Sequence, residues 1–167
     1  YLILLMIIHV PNKNTLIIDD FKLRCCIGKG GINSNKKEGD YSTPKGLFSL
    51  RKLYFRKDCV GTPKCKINKK IIKLNMAWCD DPKHKKYNEE IKTNKKNHKE
   101  NLHRKDHKYD YIISISHNEN KTPGKGSAVF IHLTDNYKPT VGCVALKKKD
   151  FEILLKLIDK KTKIKIG

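Results

Sequence analysis

The sequence predicts a mainly β fold with one helix packed near its C-terminal end. Short runs rich in β-branched and aromatic residues recur along the chain, such as "YDYIISIS" at 109–116 and "SAVFIHL" at 127–133. Stretches rich in Gly, Asn or Pro separate these runs, as expected of turns. Only the segment 147–161 repeats apolar residues at the spacing of one helix face.

The elements follow from these patterns in chain order. Strands are predicted at 2–10, 14–19, 21–28, 47–55, 67–74, 109–116, 127–133 and 162–167. The turn residues "PNKN" and "DD" make the first three an antiparallel meander. The helix presents Phe151, Leu154, Leu155 and Ile158 at i, i+3, i+4 and i+7. Asp150 near its start and lysines at its end suit the helix dipole.

The chain is predicted to form a single domain that spans residues 1–167, and two polar stretches interrupt its series of strands. The segment 28–46 is predicted as loop, and it lacks the glycine and lysine spacing of a phosphate-binding loop. The segment 79–108 is predicted as a polar excursion over the surface, with a helical turn as an option. Four histidines lie in it without a recurring ligand spacing, and they are expected to be solvated: His84, His98, His103 and His107.

The net charge of +20 comes almost entirely from lysine, since only four of the 37 basic residues are arginine. Proteins that read nucleic acids favour arginine, whose guanidinium binds bases and phosphates in bidentate geometry. No strand interleaves aromatic with basic residues as an RNA-binding sheet does. We therefore expect a solvated, lysine-rich surface and no nucleic-acid partner. Attraction to a cell-wall polyanion or to anionic lipid stays open as an alternative.

The six cysteines include no CxxC pair and no Cys/His quartet with zinc-finger spacing, so no structural metal is expected. Cys59 and Cys65 could form a disulfide in an oxidising compartment. The adjacent Cys25 and Cys26 would point to opposite faces of a strand and would not pair with each other.

Cys143 follows Gly142 in a tight loop ahead of the helix, and His132 ends the apolar run "SAVFIH". A nucleophilic thiol needs a base within reach and amides that receive an oxyanion. The short connection 133–142 returns the loop beside the strand end, and Gly142 permits a sharp bend with an unshielded N–H. Taken alone, these residues favour a buried structural cysteine over a nucleophile.

Several motifs, in order, resemble the YkuD-type L,D-transpeptidases. "AVFIHLTDNYKPTVGCVALKKKDFEILLKLI" is similar to their catalytic segment, in which a strand-borne histidine precedes a [Ser/Thr]-x-Gly-Cys loop. "GDYSTPKGLFSL" resembles their Thr-Pro-x-Gly-x-Phe stretch. The resemblance covers nearly the whole chain and fits a divergent subgroup with a Gly-Cys-Val-Ala-Leu loop. Val141 and Ala145 stand where the commoner motif has a second histidine and a polar or basic residue.

The resemblance implies a fold and a set of site residues. The fold would be a β-sandwich or barrel-like sheet with one packed C-terminal helix. Cys143 would be the nucleophile and His132 the proton acceptor and donor. Gly142 and Cys143 would supply oxyanion amides, and Thr140 would take the loop's hydroxyl position. Four further residues are candidates for contact with substrate: Tyr137, His117, Asn118 and Trp78.

The resemblance also implies a function: acyl transfer through a thioester on bacterial peptidoglycan stem peptides, which cross-links or remodels the wall and affects cell shape. No metal or organic cofactor is needed. A monomer in the cell envelope or periplasm is expected, although "YLILLMIIHV" is a poor signal peptide and too short to span a membrane. The alternatives are an L,D-carboxypeptidase that uses the same site and a non-catalytic module that binds cell wall or polyanions.

Overall fold

The computed structural model describes residues 5–93 and 99–167. Its strands are β1 Ile7–Asn12, β2 Thr15–Ile18, β3 Phe21–Arg24, β4 Ile32–Asn33, β5 Thr43–Pro44, β6 Gly46–Phe55, β7 Asn68–Ile71, β8 Met76–Cys79, β9 Glu90–Lys92, β10 Lys99–Asn101, β11 Tyr111–Ile115, β12 Phe130–Leu133, β13 Val144–Leu146 and β14 Lys163–Ile166. The helices are the single turn α1 Lys57–Val60 and the longer α2 Lys148–Leu157.

Nine strands form one sheet that is nearly closed into a barrel. Their order is β13-β12-β11-β6-β14-β1-β2-β3, and β7 also pairs with β6. The long β6 joins two groups of strands, because its first half pairs with β14 and its second half with β11 and β7. The segment after β3 reaches the opposite edge through isolated bridges from Cys26 to Ala145 and from Gly28 to Thr140. The mainly β architecture predicted from the sequence is therefore confirmed.

The predicted neighbours are largely correct. β1, β2 and β3 form the expected antiparallel meander, and β11 runs antiparallel to β12. The sequence did not predict two parallel pairs, β1 with β14 and β12 with β13. Both pairs join segments whose contact depends on how the intervening chain folds, which local periodicity does not reveal.

Two apolar clusters fill the molecule. The larger lies inside the curved sheet and under α2, which buries Phe151, Leu154 and Leu155. The predicted helix and its apolar face are thus confirmed. The second cluster lies on the other side of β11 and β12, and its buried members are Tyr54, Ile72, Met76, Leu102, Tyr109, Ile112, Phe130 and Cys143. Within the described residues, neither helix has the length and apolar character that crossing a membrane requires.

The described residues of the predicted surface excursion at 79–108 contain more regular structure than expected. β9 and β10 flank β8 in a separate three-stranded sheet, and Tyr87 and Leu102 from this segment are fully buried. His84 and His107 are exposed as expected, whereas His103 is half-buried, and His98 lies outside the described residues. The predicted loop at 28–46 is loop apart from the two-residue strands β4 and β5.

We expect Phe151→Ala to lower the free energy of unfolding by about 3–5 kcal/mol. Phe151 is fully buried, and its ring stacks on Tyr111 with centroids 5.2 Å apart and ring planes 7° apart. The truncation would therefore leave a cavity between α2 and the sheet. Phe21→Ala is the control, because Phe21 is 42% exposed on β3. Urea unfolding of both variants measures the difference, and equal losses would contradict the packing described above.

Candidate active site

His132 is near the end of β12, and Cys143 directly precedes β13, the parallel neighbour of β12. The register pairs His132 of β12 with Ala145 of β13, so Cys143 lies diagonal to His132. Residues two apart on an extended strand face the same side. Cys143 belongs to the second cluster, and the His132 ring meets Tyr109 of that cluster edge-on at 5.2 Å between centroids. Both side chains therefore face the same side of the sheet.

The Cys143 thiol is buried, with 4% of the residue exposed. Its Sγ donates to the Ala128 carbonyl at 3.2 Å and accepts from the Phe130 N–H at 3.3 Å. Burial raises the pKa of Cys143 to about 12, and the nearby Glu100 also raises it, whereas the Phe130 N–H lowers it. At neutral pH the sulfur is therefore a protonated thiol that needs a base before it can attack.

The His132 imidazole is arranged as that base. Its Nδ1 lies 2.8 Å from the Leu133 carbonyl oxygen. Because a carbonyl only accepts, Nδ1 carries the proton and Nε2 keeps its lone pair. Burial lowers the pKa of His132 to about 4, although the Leu133 carbonyl partly offsets this shift. The ring is therefore neutral and able to accept a proton at Nε2 throughout the physiological range.

Within the described part of the chain, no hydrogen bond joins the Cys143 thiol to the His132 ring, because the thiol donates to Ala128. The diagonal register accounts for the missing hydrogen bond. His132 is opposite Ala145, which lies two residues and about 7 Å along the chain from Cys143. Contacts of a general base often form only when substrate is bound.

Thr140 holds the loop that carries Cys143. Its Oγ1 donates to the Cys143 carbonyl at 2.6 Å and accepts from the Gly142 N–H at 3.1 Å. The Thr140 backbone is bonded in turn to Ile27 and Lys29 on the chain after β3. The Gly142 N–H, which was expected to receive an oxyanion, therefore donates to Thr140 instead. The Cys143 N–H makes no hydrogen bond to any residue in 5–93 or 99–167.

Two cavities meet at Cys143. The first, of about 300 Å³, brings together three of the predicted site residues, His132, Thr140 and Cys143. The second, of about 180 Å³, is lined by Gly142 and also by Cys143. The exposed Val141 lines both cavities. A molecule bound across the thiol would therefore extend in two directions.

Sequence reasoning missed the residues that the stretch 100–109 contributes to these cavities. Glu100 and Tyr109 line both cavities, and Arg104 lines the first. The Tyr109 hydroxyl donates to Glu100 at 2.9 Å, and Arg104 lies 3.5 Å from the same carboxylate oxygen. Burial raises the pKa of Glu100 above its usual range. The signal that could have found them is the few apolar residues, Leu102 and Tyr109, in an otherwise polar run.

The four predicted substrate contacts line neither cavity. The Tyr137 ring lies under the Arg24 guanidinium at 4.1 Å and faces a depression formed by the chain after β3. Trp78 donates to Asn88 and packs edge-on against Phe130. His117 and Asn118 follow β11, and their side chains bond the backbone of residues 122–126.

We expect Thr140→Val to slow acylation of Cys143 about tenfold. The change keeps the shape but removes two hydrogen bonds that position the loop, each worth about 0.5–1.5 kcal/mol. Thr162→Val is the control, because the hydroxyl of the buried Thr162 also accepts from a backbone N–H, that of Asp159, and neither residue lines the two cavities. Rates of acylation by a β-lactam measure the effect. Equal rates for both variants would show that Thr140 does not order the loop.

Comparison with known proteins identifies the family. The family model of the YkuD domain, described as the L,D-transpeptidase catalytic domain, matches residues 5–166. No curated protein and no solved structure matches the chain. The match spans almost all of the chain, including both strands beneath the cavities and α2. The chain therefore belongs to the YkuD family of L,D-transpeptidase catalytic domains.

Proposed function

We propose that this protein is a cysteine-dependent L,D-transpeptidase that acts on peptidoglycan stem peptides in the bacterial cell envelope. One observation supports this proposal above the others. A buried thiol and a neutral imidazole of fixed tautomer lie on neighbouring strands and line the same cavity. The sequence resemblance assigns the same two residues as nucleophile and base.

The reaction follows from the protonation states. His132 Nε2 takes the thiol proton as the Cys143 sulfur attacks the carbonyl carbon of the third-position diamino acid. The carbonyl oxygen becomes an oxyanion near the Cys143 N–H. The bond to the terminal D-alanine then breaks, and the imidazolium returns the proton to the departing amine. A side-chain amine of a second stem attacks the thioester, loses its proton to His132 and releases the thiol.

The charges around the thiol favour one orientation of the stem. Three basic residues, Arg104, Lys108 and Lys138, outnumber the carboxylates Glu100 and Asp135 in the first cavity, which suits the carboxylate of the departing D-alanine. Three carboxylates, Glu38, Asp80 and Glu100, outnumber the single Lys36 in the second, which suits the side-chain ammonium of the retained diamino acid. The leaving amine and the incoming amine both exchange a proton with His132. Both amines therefore use the first cavity in turn.

The test is product analysis on purified muropeptides that carry tetrapeptide stems. The proposal predicts released D-alanine together with dimers linked between two diamino acids. D-alanine release without dimers would assign the chain as an L,D-carboxypeptidase, since water would then be the only acceptor. Absence of both products, with salt-sensitive binding to the muropeptides, would favour a non-catalytic wall-binding module.

A further inference from the structure

A buried lysine from the loop between β4 and β5 lies beside the Cys143 loop. Lys36 is only 7% exposed, and its side chain runs between two glycines that are distant in sequence. A Cβ atom on Gly126 would lie 3.2 Å from Lys36 Cγ and Cε, and one on Gly142 would lie 3.7 Å from Lys36 Nζ. Both glycines have positive φ, +101° and +147°. The backbone therefore leaves room for this side chain on both sides.

The Lys36 ammonium is held in place by the end of its own loop. Nζ donates to the Lys37 carbonyl at 2.9 Å and to Asp40 Oδ1 at 2.5 Å. Asp40 also accepts from the Lys37 N–H and from the backbone and hydroxyl of Ser42. Burial raises the pKa of Asp40, but these hydrogen bonds outweigh it and hold the pKa well below the usual range. The ion pair is therefore fully formed at neutral pH.

The third N–H of the ammonium has no hydrogen-bond partner in residues 5–93 and 99–167. Lys36 lines the second cavity with Gly142 and Cys143, and the other charged residues described there are the carboxylates Glu38, Asp80 and Glu100. A buried ion pair seldom stabilises a fold more than apolar residues of the same size would. Stability alone therefore gives little reason for a lysine at this position.

We propose that the Lys36 ammonium supplies the positive charge that stabilises the anion formed at Cys143. This role rests on the proposed acyl transfer. Thr140 occupies the Gly142 N–H, so the Cys143 N–H lacks a second backbone donor beside it. Lys36 approaches from the Gly142 side, where a developing oxyanion would otherwise face carboxylates. Its charge also favours the Cys143 thiolate over the thiol.

The test compares Lys36→Met with Lys37→Met. Both variants remove one lysine charge, but Lys37 is exposed and contributes only backbone atoms to the Asp40 cluster. Iodoacetamide alkylation of the Cys143 peptide at pH 9, followed by mass spectrometry, measures the thiolate without requiring transpeptidation. Neither variant replaces any other titratable group that lines the two cavities, among them Glu38, Asp80, Glu100, Tyr109 and His132.

We expect alkylation of Cys143 in Lys36→Met to slow at least threefold, and acylation by a carbapenem-type β-lactam to slow ~10²-fold, the usual loss when an oxyanion donor is removed. Lys37→Met should match the wild type in both assays. Wild-type rates for Lys36→Met would overturn the inference. If the wild type is never acylated, the proposed function fails, yet the alkylation comparison still decides the role of the charge.

Asp40→Asn separates electrostatics from folding. It keeps Lys36 but removes the negative charge beside it, so alkylation of Cys143 should proceed at the wild-type rate or faster. A loss equal to that of Lys36→Met would mean that the ion pair acts only as a structural clamp, and the inference would be wrong. Thermal unfolding of each variant confirms that the folded protein is being compared.

Discussion

Replacement of Cys143 by alanine is expected to lower D-alanine release and cross-linking at least ~10⁴-fold, to background. Loss of a nucleophile removes the covalent step, and knockouts of this kind cost factors of this order or more. The substitution removes one buried sulfur that bonds Ala128 and Phe130, so the fold should persist. Product analysis on tetrapeptide muropeptides measures the loss.

Cys79→Ala is the matched control for that experiment. Cys79 is also a buried free thiol, 2% exposed, but it lies on β8 and lines neither of the two cavities. Its replacement should leave activity at the wild-type level. If activity survived in Cys143→Ala and disappeared in Cys79→Ala, the nucleophile would be Cys79 and the assignment of Cys143 would be wrong.

We expect His132→Gln to lower the acylation rate by about 10²–10⁴-fold, the usual contribution of a general base. Glutamine keeps a polar side chain of similar size, but its amide cannot take a proton from the thiol. His107→Gln is the control, since His107 is an exposed imidazole that bonds the Thr134 carbonyl at 2.8 Å. If His132→Gln reacted as fast as this control, the His132 imidazole would not be the base in the mechanism.

The pH profile gives His132 a second test. Its lowered pKa, about 4, means that the ring stays neutral as pH falls from 7. The wild-type rate should therefore hold to about pH 5 and decline only as the ring gains a proton near its pKa. In His132→Gln the rate should instead rise steadily with pH, because it then depends on the thiolate of a group whose pKa is about 12. If the wild-type rate instead declined near pH 6.5, the His132 ring would titrate like a solvated histidine, and the account of its burial would be wrong.

The sequence was sufficient for the elements whose signals are local. The strand runs at 109–116 and 127–133 and the apolar face of α2 follow from periodicity alone, and the structure has them there. The proximity of Cys143 and His132 could be expected, because the short connection between them allows few arrangements of the chain. Their roles as nucleophile and base were implied by the family resemblance.

The rest of the site depends on contacts between distant segments. Glu100 and Arg104 lie in a run that is polar apart from Leu102, and they line the cavity at Cys143 because β10 pairs with β8. Lys36 lies in a loop whose composition indicates only turns, yet it is buried between Gly126 and Gly142. Polar residues that are buried by tertiary packing leave no periodic pattern of their own, so only neighbouring apolar residues such as Leu102 could have indicated the buried stretch.

Exposure of the protein to a carbapenem-type β-lactam, followed by intact-protein and peptide mass spectrometry, tests the assignment of the nucleophile most directly. The ring of the β-lactam is a strained amide, and a thiolate that opens it remains joined to the whole drug as a thioester. We predict one adduct per chain, located on the peptide that contains Cys143 and absent from Cys143→Ala. A chain that gains no adduct while iodoacetamide still alkylates Cys143, or an adduct located on the exposed Cys59, would contradict the account.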